Sequence, residues 1–370
     1  MAEETGKRKI DHIRICLDKK AQAKKTTTGF EDLQFIHRAL PEIDKAQINL
    51  QTTFLGKKFN APLIVGAMTG GAEEATKINS SIAETVEKLG LGMGLGSQRA
   101  AVENKSLEKT YRIAREKAPH AFLIANIGGV QLVHGYGIKE VRKIIEMIDA
   151  DAVAIHLNAL QEIIQPEGQT NFKGIVIKIA EIVGAIDQPV IVKETGAGIC
   201  AEDAKILEDA GVKAIDVGGA GGTSFAAVEY YRANPNSGVQ RYLGNTLWDW
   251  GIPTAISLIE TAKSVKIPLI AAGGIRNGTD IAKALAVGAS LGSIVQPILQ
   301  AAIEGTKETE QKLQGLIEEL RSVMFLTGTQ TITDLSKKPV VIMGQTAQWL
   351  TARGLSLQKY AKQGAYQVGH

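Results

Sequence analysis

Backbone amides, one strand-end lysine and a set of side-chain amides are the groups in this sequence best suited to chemistry. Ile267 to Ser290, IPLIAAGGIRNGTDIAKALAVGAS, is a short apolar strand, a Gly-Gly turn and a helix with an Ala/Leu face. Glycines ahead of a helix let N–H groups approach an anion whose charge the helix N-terminus favours. The stretch predicts a phosphate cradle, the plainer alternative being a turn needed only for packing. Lys193 ends the apolar run PVIVKE, and a cation buried there needs a partner. Glu194 is adjacent, but neighbouring strand residues point to opposite faces, which favours a ligand or a more distant side chain. Beside the pyrimidine edge of a flavin, such a lysine stabilises the anionic reduced ring. Glu162 follows Gln161 in HLNALQE; next to an anion it requires a bridging cation such as Mg2+, and otherwise it is a solvated surface charge. Arg99 in GSQRA and the pair Arg8 and Lys9 offer a second phosphate site. For the terminal pair, simple solvation is the ordinary alternative.

These residues need a frame, and the apolar runs supply one. Strand-like segments fall at 62–67, 92–96, 121–126, 152–156, 189–194, 214–218, 267–272 and 291–295. Amphipathic helices lie between them at 75–89, 139–148, 201–210, 253–264 and 279–287. Regular alternation demands parallel strands with right-handed crossovers. The fold expected is α/β, a (β/α)8 TIM barrel whose chemistry gathers at the C-terminal strand ends. Those ends are polar: AMTGG, GSQRA, ANIGG, HLNALQE, VKETGAG and GGAGGTS, with few carboxylates. Such a set suits an anion joined to a polar heterocycle.

A single domain is expected, with residues 1–58 a polar, irregular N-terminal extension outside the core, 59–330 the barrel and 331–370 a C-terminal tail. Glu308 to Phe325 reads as a strong helix, and Trp349 packs on the barrel or on a neighbouring subunit. The loop after strand 6, from Gly219 to Gly251, is too long for an ordinary βα connection. It reads as a lid that orders on ligand binding, or as an excursion without function. A net charge of +3 argues against nucleic-acid partners. No apolar run reaches membrane-spanning length, and two cysteines suit a reduced, cytoplasmic protein.

The ordered set RKIDHI, MTGG, GSQRA, HLNALQE, VKETGAGI, GGAGGTS, WGIPTA and GGIRNGTD resembles the type 2 isopentenyl diphosphate isomerases, from about Lys7 to Gly354. The resemblance implies reversible conversion of isopentenyl to dimethylallyl diphosphate by a 1,3-proton shift. Reduced FMN would act as acid and base, Mg2+ would bind the diphosphate, and NADPH would serve only to reduce the flavin. It implies FMN contacts at Ala67, Met68, Thr69, Ser97, Asn126, Lys193, Gly218, Thr223, Gly274, Ile275, Arg276, Val295 and Gln296. The diphosphate would meet Arg8, Lys9, Ser97, Gln98 and Arg99. His156 and Asn158 would lie nearby, Gln161 close to the reacting carbons as relay or orienter, and Glu162 on the metal. A homotetramer or homo-octamer is implied as well. Gly66, Gly218 and the Val-Gln before Pro297 depart from forms frequent in the family, at contacts made largely by backbone.

Two other flavin or phosphate barrels and a different class compete. A 2-hydroxy-acid oxidase needs a histidine base, and GGAGGTS has none. An IMP dehydrogenase needs a loop cysteine, whereas Cys200 opens a helix, where its thiol pKa would fall. A non-catalytic flavin or phosphate sensor would keep the cradle without turnover.

Overall fold

The computed structural model describes residues 2–17, with side chains from Lys9 onward, and residues 21–234 and 238–363. Eight parallel strands close into a barrel. In chain order they are β1 (Leu63–Val65), β2 (Gly92–Gly94), β3 (Phe122–Gly128), β4 (Ala152–His156), β5 (Val190–Lys193), β6 (Ala214–Asp216), β7 (Leu269–Ala271) and β8 (Leu291–Ile294). Each falls within or beside a segment expected from the apolar runs, because strands buried on both faces lack polar alternation.

Period-two geometry sorts every strand into an inner and an outer set. Ile64, Phe122, Ile124, Ala152, Ala154, Ile191, Ala214, Ile270 and Leu291 form the barrel interior. Their neighbours Leu63, Val65, Val153, Val192 and Ile215 pack outward in the larger cluster with the helices. One more step of two along the strands reaches the upper rim at Asn126, His156, Lys193, Asp216 and Ser293.

The N-terminal extension is irregular over much of residues 21–51, but it is not outside the core. Ala2–Leu17 is a helix, and Phe30, Leu33, Ile48 and Leu50 join the main apolar cluster. A hairpin, Thr52–Phe54 with Lys57–Phe59, closes the lower end, where Phe54 and Phe59 stack edge to face, 6.4 Å apart. Leu33–Phe35 pairs antiparallel with Val340–Ile342 in the tail. The apolar residues here are single and widely spaced, so their burial depends on partners far along the chain. In the tail, Trp349 donates to Glu260 at 3.0 Å, which sets it on the barrel.

The stretch after β6 is not a structureless loop. Phe225–Arg232 and Gly238–Thr246 are helices. Ser224 caps the first by accepting from the N–H of Ala227, and its hydroxyl donates to the Trp248 carbonyl at 2.6 Å. Trp248 is buried against Tyr230 and Tyr231, whereas Trp250 is 64% exposed.

Candidate active site at the upper rim of the barrel

A cavity of about 1650 Å³, measured out to open solvent, occupies the C-terminal end of the barrel. Its floor is the rim set by strand alternation. Register places His156 beside Lys193 and Lys193 beside Asp216 on adjacent strands. His156 Nδ1 faces the Asn126 Oδ1 at 2.9 Å, and Asn126 Nδ2 donates to the Leu95 carbonyl. That second bond fixes the amide orientation, so His156 carries its proton on Nδ1.

Lys193 Nζ donates to the Glu194 carbonyl at 2.7 Å. The Glu194 carboxylate turns away, as strand alternation requires, and accepts from the N–H groups of Thr195, Gly196 and Ala197 at 2.6, 2.7 and 2.5 Å. Burial pushes Glu194 up to about 7, against the pull of those N–H groups and of Lys193. Burial likewise pushes Asp216 up to about 6, with the Lys193 charge opposing it.

The helix after β4, Ala159–Ile164, carries the next layer. Asn158 Nδ2 reaches both Gln161 Oε1 at 3.2 Å and Glu162 Oε1 at 2.9 Å. Glu162 Oε2 accepts from Gln165 Nε2 and from the N–H of Gln169. Gln161 Nε2 donates to Glu229 Oε1 at 2.8 Å. That carboxylate also meets His12 Nε2 at 3.0 Å and the Arg232 guanidinium. Burial raises the Glu229 pKa, but the His12 hydrogen bond and the His12 and Arg232 charges hold it below the usual range.

The N-terminal helix forms the front wall. Lys9, His12, Ile13 and Cys16 share one face at helical spacing and line the cavity. Lys9 Nζ donates to the Ser97 carbonyl at 2.6 Å and to the Tyr111 hydroxyl. Arg99 also lines the cavity and pairs with Glu103 at 2.7 Å. The Arg8 side chain lies outside the described residues.

The glycine cradle forms the far wall. Gly273 has φ +102°, and a Cβ there would stand 2.1 Å from the Gly219 carbonyl oxygen. Gly274, Ile275, Arg276, Gly218 and Thr223 line the cavity here, and Val295, Gln296, Ala67, Met68, Thr69 and Ser97 line it as well. Thr69 Oγ1, Asn158 Oδ1 and Ser293 Oγ are buried and have no protein partner.

The structure thus gathers Lys9, Ser97, Arg99, Asn126, His156, Asn158, Gln161, Glu162, Lys193 and the cradle, as the strand ends suggest. Gln98 is the exception. It is 0% exposed, donates to the Ile144 carbonyl and accepts from the N–H of Asn126 at 3.0 Å, so it stiffens the wall behind the cavity. The expected scarcity of carboxylates is also corrected, since Glu162, Glu194, Asp216 and Glu229 all stand at or just behind the cavity. Asp216 was legible two residues beyond inward-facing Ala214, and His12 at helical spacing from Lys9. Glu229 had no comparable signal, because it arrives on a helix of the stretch expected to be a loop. Cys200 does cap a helix, but burial raises its thiol pKa.

Residues 1–128 and 148–342 match the model of the FMN-dependent dehydrogenase family. The isopentenyl-diphosphate delta-isomerase of Methanothermobacter thermautotrophicus is 50% identical over 96% of this chain and 98% of its own length. The enzyme of the same name from Archaeoglobus fulgidus is 46% identical over 95% of this chain and 99% of its own. Among solved structures, a lactate oxidase of Pediococcus acidilactici superposes with a TM-score of 0.64 at 20% identity, over 93% of this chain and 94% of its own. A mandelate oxidase does so with 0.59 at 17% identity, over 92% and 98%. Likeness at that identity concerns the barrel alone. Matched along nearly its whole length on both counts, the chain belongs to the FMN-dependent dehydrogenase family and, within it, to the type 2 isopentenyl-diphosphate delta-isomerases.

Proposed function

We propose that the chain interconverts isopentenyl and dimethylallyl diphosphate by a 1,3-proton shift, using FMN kept reduced by NADPH, and Mg2+ on the diphosphate. The observation that carries this reading is the 46–50% identity, across nearly the full chain, to relatives bearing that activity in their names.

The donor set suits the cofactor. Lys193 supplies a cation at the inner rim, and Thr69 Oγ1 and Ser293 Oγ are buried oxygens without protein partners. The glycine cradle with Thr223, Gly274, Ile275 and Arg276 takes the phosphate, while Ala67, Met68, Ser97, Asn126, Gly218, Val295 and Gln296 border the remainder. When bound and reduced, FMN supplies the proton-transfer group at N5 and an electron-rich face against a tertiary cation.

The chain's own residues bind and orient. Arg8, Lys9, Ser97 and Arg99 hold the diphosphate, with His156 and Asn158 beside it, and Gln98 acts from behind by fixing Asn126. Gln161, clamped between Asn158 and Glu229, keeps its amide directed at the reacting carbons; an amide is a poor base, so its role is orientation or relay. Glu162 offers Mg2+ one carboxylate. Among the described residues no cluster of three or more His, Cys, Asp or Glu stands ready for a metal. The remaining ligands are then diphosphate oxygens and water, as suits Mg2+. Ile13, Cys16, Phe225 and Leu299 give the hydrocarbon an apolar wall.

No helix among the described residues is long and apolar enough to cross a membrane, and the proposed setting is the cytoplasm. Exposed Val239, Tyr242 and Trp250 support assembly as a homotetramer or homo-octamer.

The test is an anaerobic reaction of isopentenyl diphosphate with FMN, Mg2+ and NADPH, following dimethylallyl diphosphate and NADPH together. Product in large excess over NADPH consumed is expected. Stoichiometric NADPH loss with a reduced product would make the chain a net oxidoreductase, and a flavin-bound protein without turnover would make it a sensor.

A further inference from the structure

Residues 21–28 cross the cavity's far side as a strap, tied to the segment that follows β6. The N–H of Ala23 donates to the Gly222 carbonyl at 2.8 Å, and the N–H of Ser224 to the Ala21 carbonyl at 2.7 Å. Trp248 Nε1 donates to the Gln22 carbonyl at 2.9 Å. Asp249 Oδ1 accepts from the N–H groups of Lys24 and Lys25 at 2.7 and 3.0 Å. The course of the strap therefore does not depend on the Gln22 side chain.

That side chain has another task. Gln22 Nε2 donates to Thr223 Oγ1 at 3.2 Å, while Gln22 Oε1 accepts from Arg276 Nη2 at 2.7 Å. One amide thus spans two cavity-lining side chains on different barrel loops. Arg276 makes no ion pair among the described residues. Its backbone N–H, not its guanidinium, meets Asp280 at 3.0 Å. The guanidinium is oriented by two neutral oxygens, Gln22 Oε1 and the Ile275 carbonyl, and the Asp280 charge acts on it without a direct ion pair, so it keeps its charge for an anion. A carboxylate in the same place would pair with Arg276 and repel that anion.

We infer that Gln22 is a positioning residue of the anion cradle: its neutral amide holds Arg276 and Thr223 for a phosphate without neutralising the arginine, and so gives the site its preference for a phosphorylated flavin. This rests on the reading that the cradle receives the FMN phosphate.

Riboflavin separates the two ideas, because it carries the same ring without the phosphate. The full chain, stripped of flavin, is titrated with FMN and with riboflavin by fluorescence quenching, as wild type, Gln22→Glu and Gln22→Leu. Wild type is expected to prefer FMN. Gln22→Glu should lose about tenfold or more in FMN affinity, the scale of a hydrogen-bonded charge, with riboflavin binding and the thermal midpoint of the apoprotein unchanged. Gln22→Leu, which loosens Arg276 but leaves its charge, should lose less. If wild type holds both flavins equally, the phosphate reading of the cradle fails. If wild type prefers FMN but the variants keep the same ratio, or lose both flavins together, the inference about Gln22 is overturned.

Discussion

Lys193, Glu162 and Asp216 are three ionisable groups lining one cavity, and their surroundings assign them different work. Lys193 spends a single hydrogen bond on a neutral carbonyl, so Lys193→Ala should weaken FMN binding or slow its reduction while diphosphate binding persists. Glu162 is held by two side-chain amides and one backbone N–H. Glu162→Gln should instead weaken Mg2+-dependent diphosphate binding with flavin retained; loss of flavin on this substitution would remove Glu162 from the metal role, and calorimetry with each ligand distinguishes the pair. Asp216 makes a prediction in pH. Its ordinary pKa is about 3.9 in an unfolded chain, and burial takes it to about 6 in the fold. Between those values the native state retains a proton that the unfolded state has released. Its contribution to stability is present below about 4 and is lost as pH rises through 6. The thermal midpoint of Asp216→Asn, relative to the native chain, should therefore rise as pH is taken from 5 to 7.5, by roughly a few degrees.

Elements decide which of these groups meet, and here the sequence was legible to different depths. Apolar strand runs announced all eight barrel strands, and the polar ends of those runs announced the rim, since period two leaves no freedom once the inner face is known. The same rule applied two residues beyond inward-facing Ala214 on β6 reaches Asp216. Glu229 reaches Gln161 from the short helix Phe225–Arg232, in a stretch whose glycines and polar residues read as a loop. Gln98 failed as a contact for a related reason: motif neighbours alternate between cavity and wall, and GSQRA does not say which side each takes. The cradle is the element where local sequence is strictest. At Gly273 both the φ of +102° and the Gly219 oxygen 2.1 Å from a Cβ exclude a side chain. Gly273→Ala should cost about 1–3 kcal/mol in stability and release flavin, seen as loss of bound absorbance after gel filtration.

At the scale of the whole molecule, both ends of the chain complete the barrel. The tail contributes Leu350, fully buried in the main cluster on the helix Gly344–Ala352, and Glu260 ties Trp349 and Arg353 to the body. Leu350→Ala should cost about 2–5 kcal/mol, read as a lower denaturant midpoint, although the residue touches nothing in the cavity. Burial of this kind escapes single-sequence reading because the partners of Phe30, Leu33 and Leu50 are assembled from distant parts of the chain. The pairing of Leu33–Phe35 with Val340–Ile342 also fixes an order of events during biosynthesis. A ribosome delivers the first of these strands early, yet its partner emerges only after every barrel strand has been translated. Until then Leu33 and its neighbours are exposed apolar surface on a nascent chain, the kind of segment chaperones bind. The strap just upstream waits too, because Arg276 and Trp248 are translated more than two hundred residues after Gln22. Flavin capture is thus expected only after the cradle at Gly273–Arg276 has been made, and in pulsed hydrogen exchange the amino-terminal segment is expected to gain protection late.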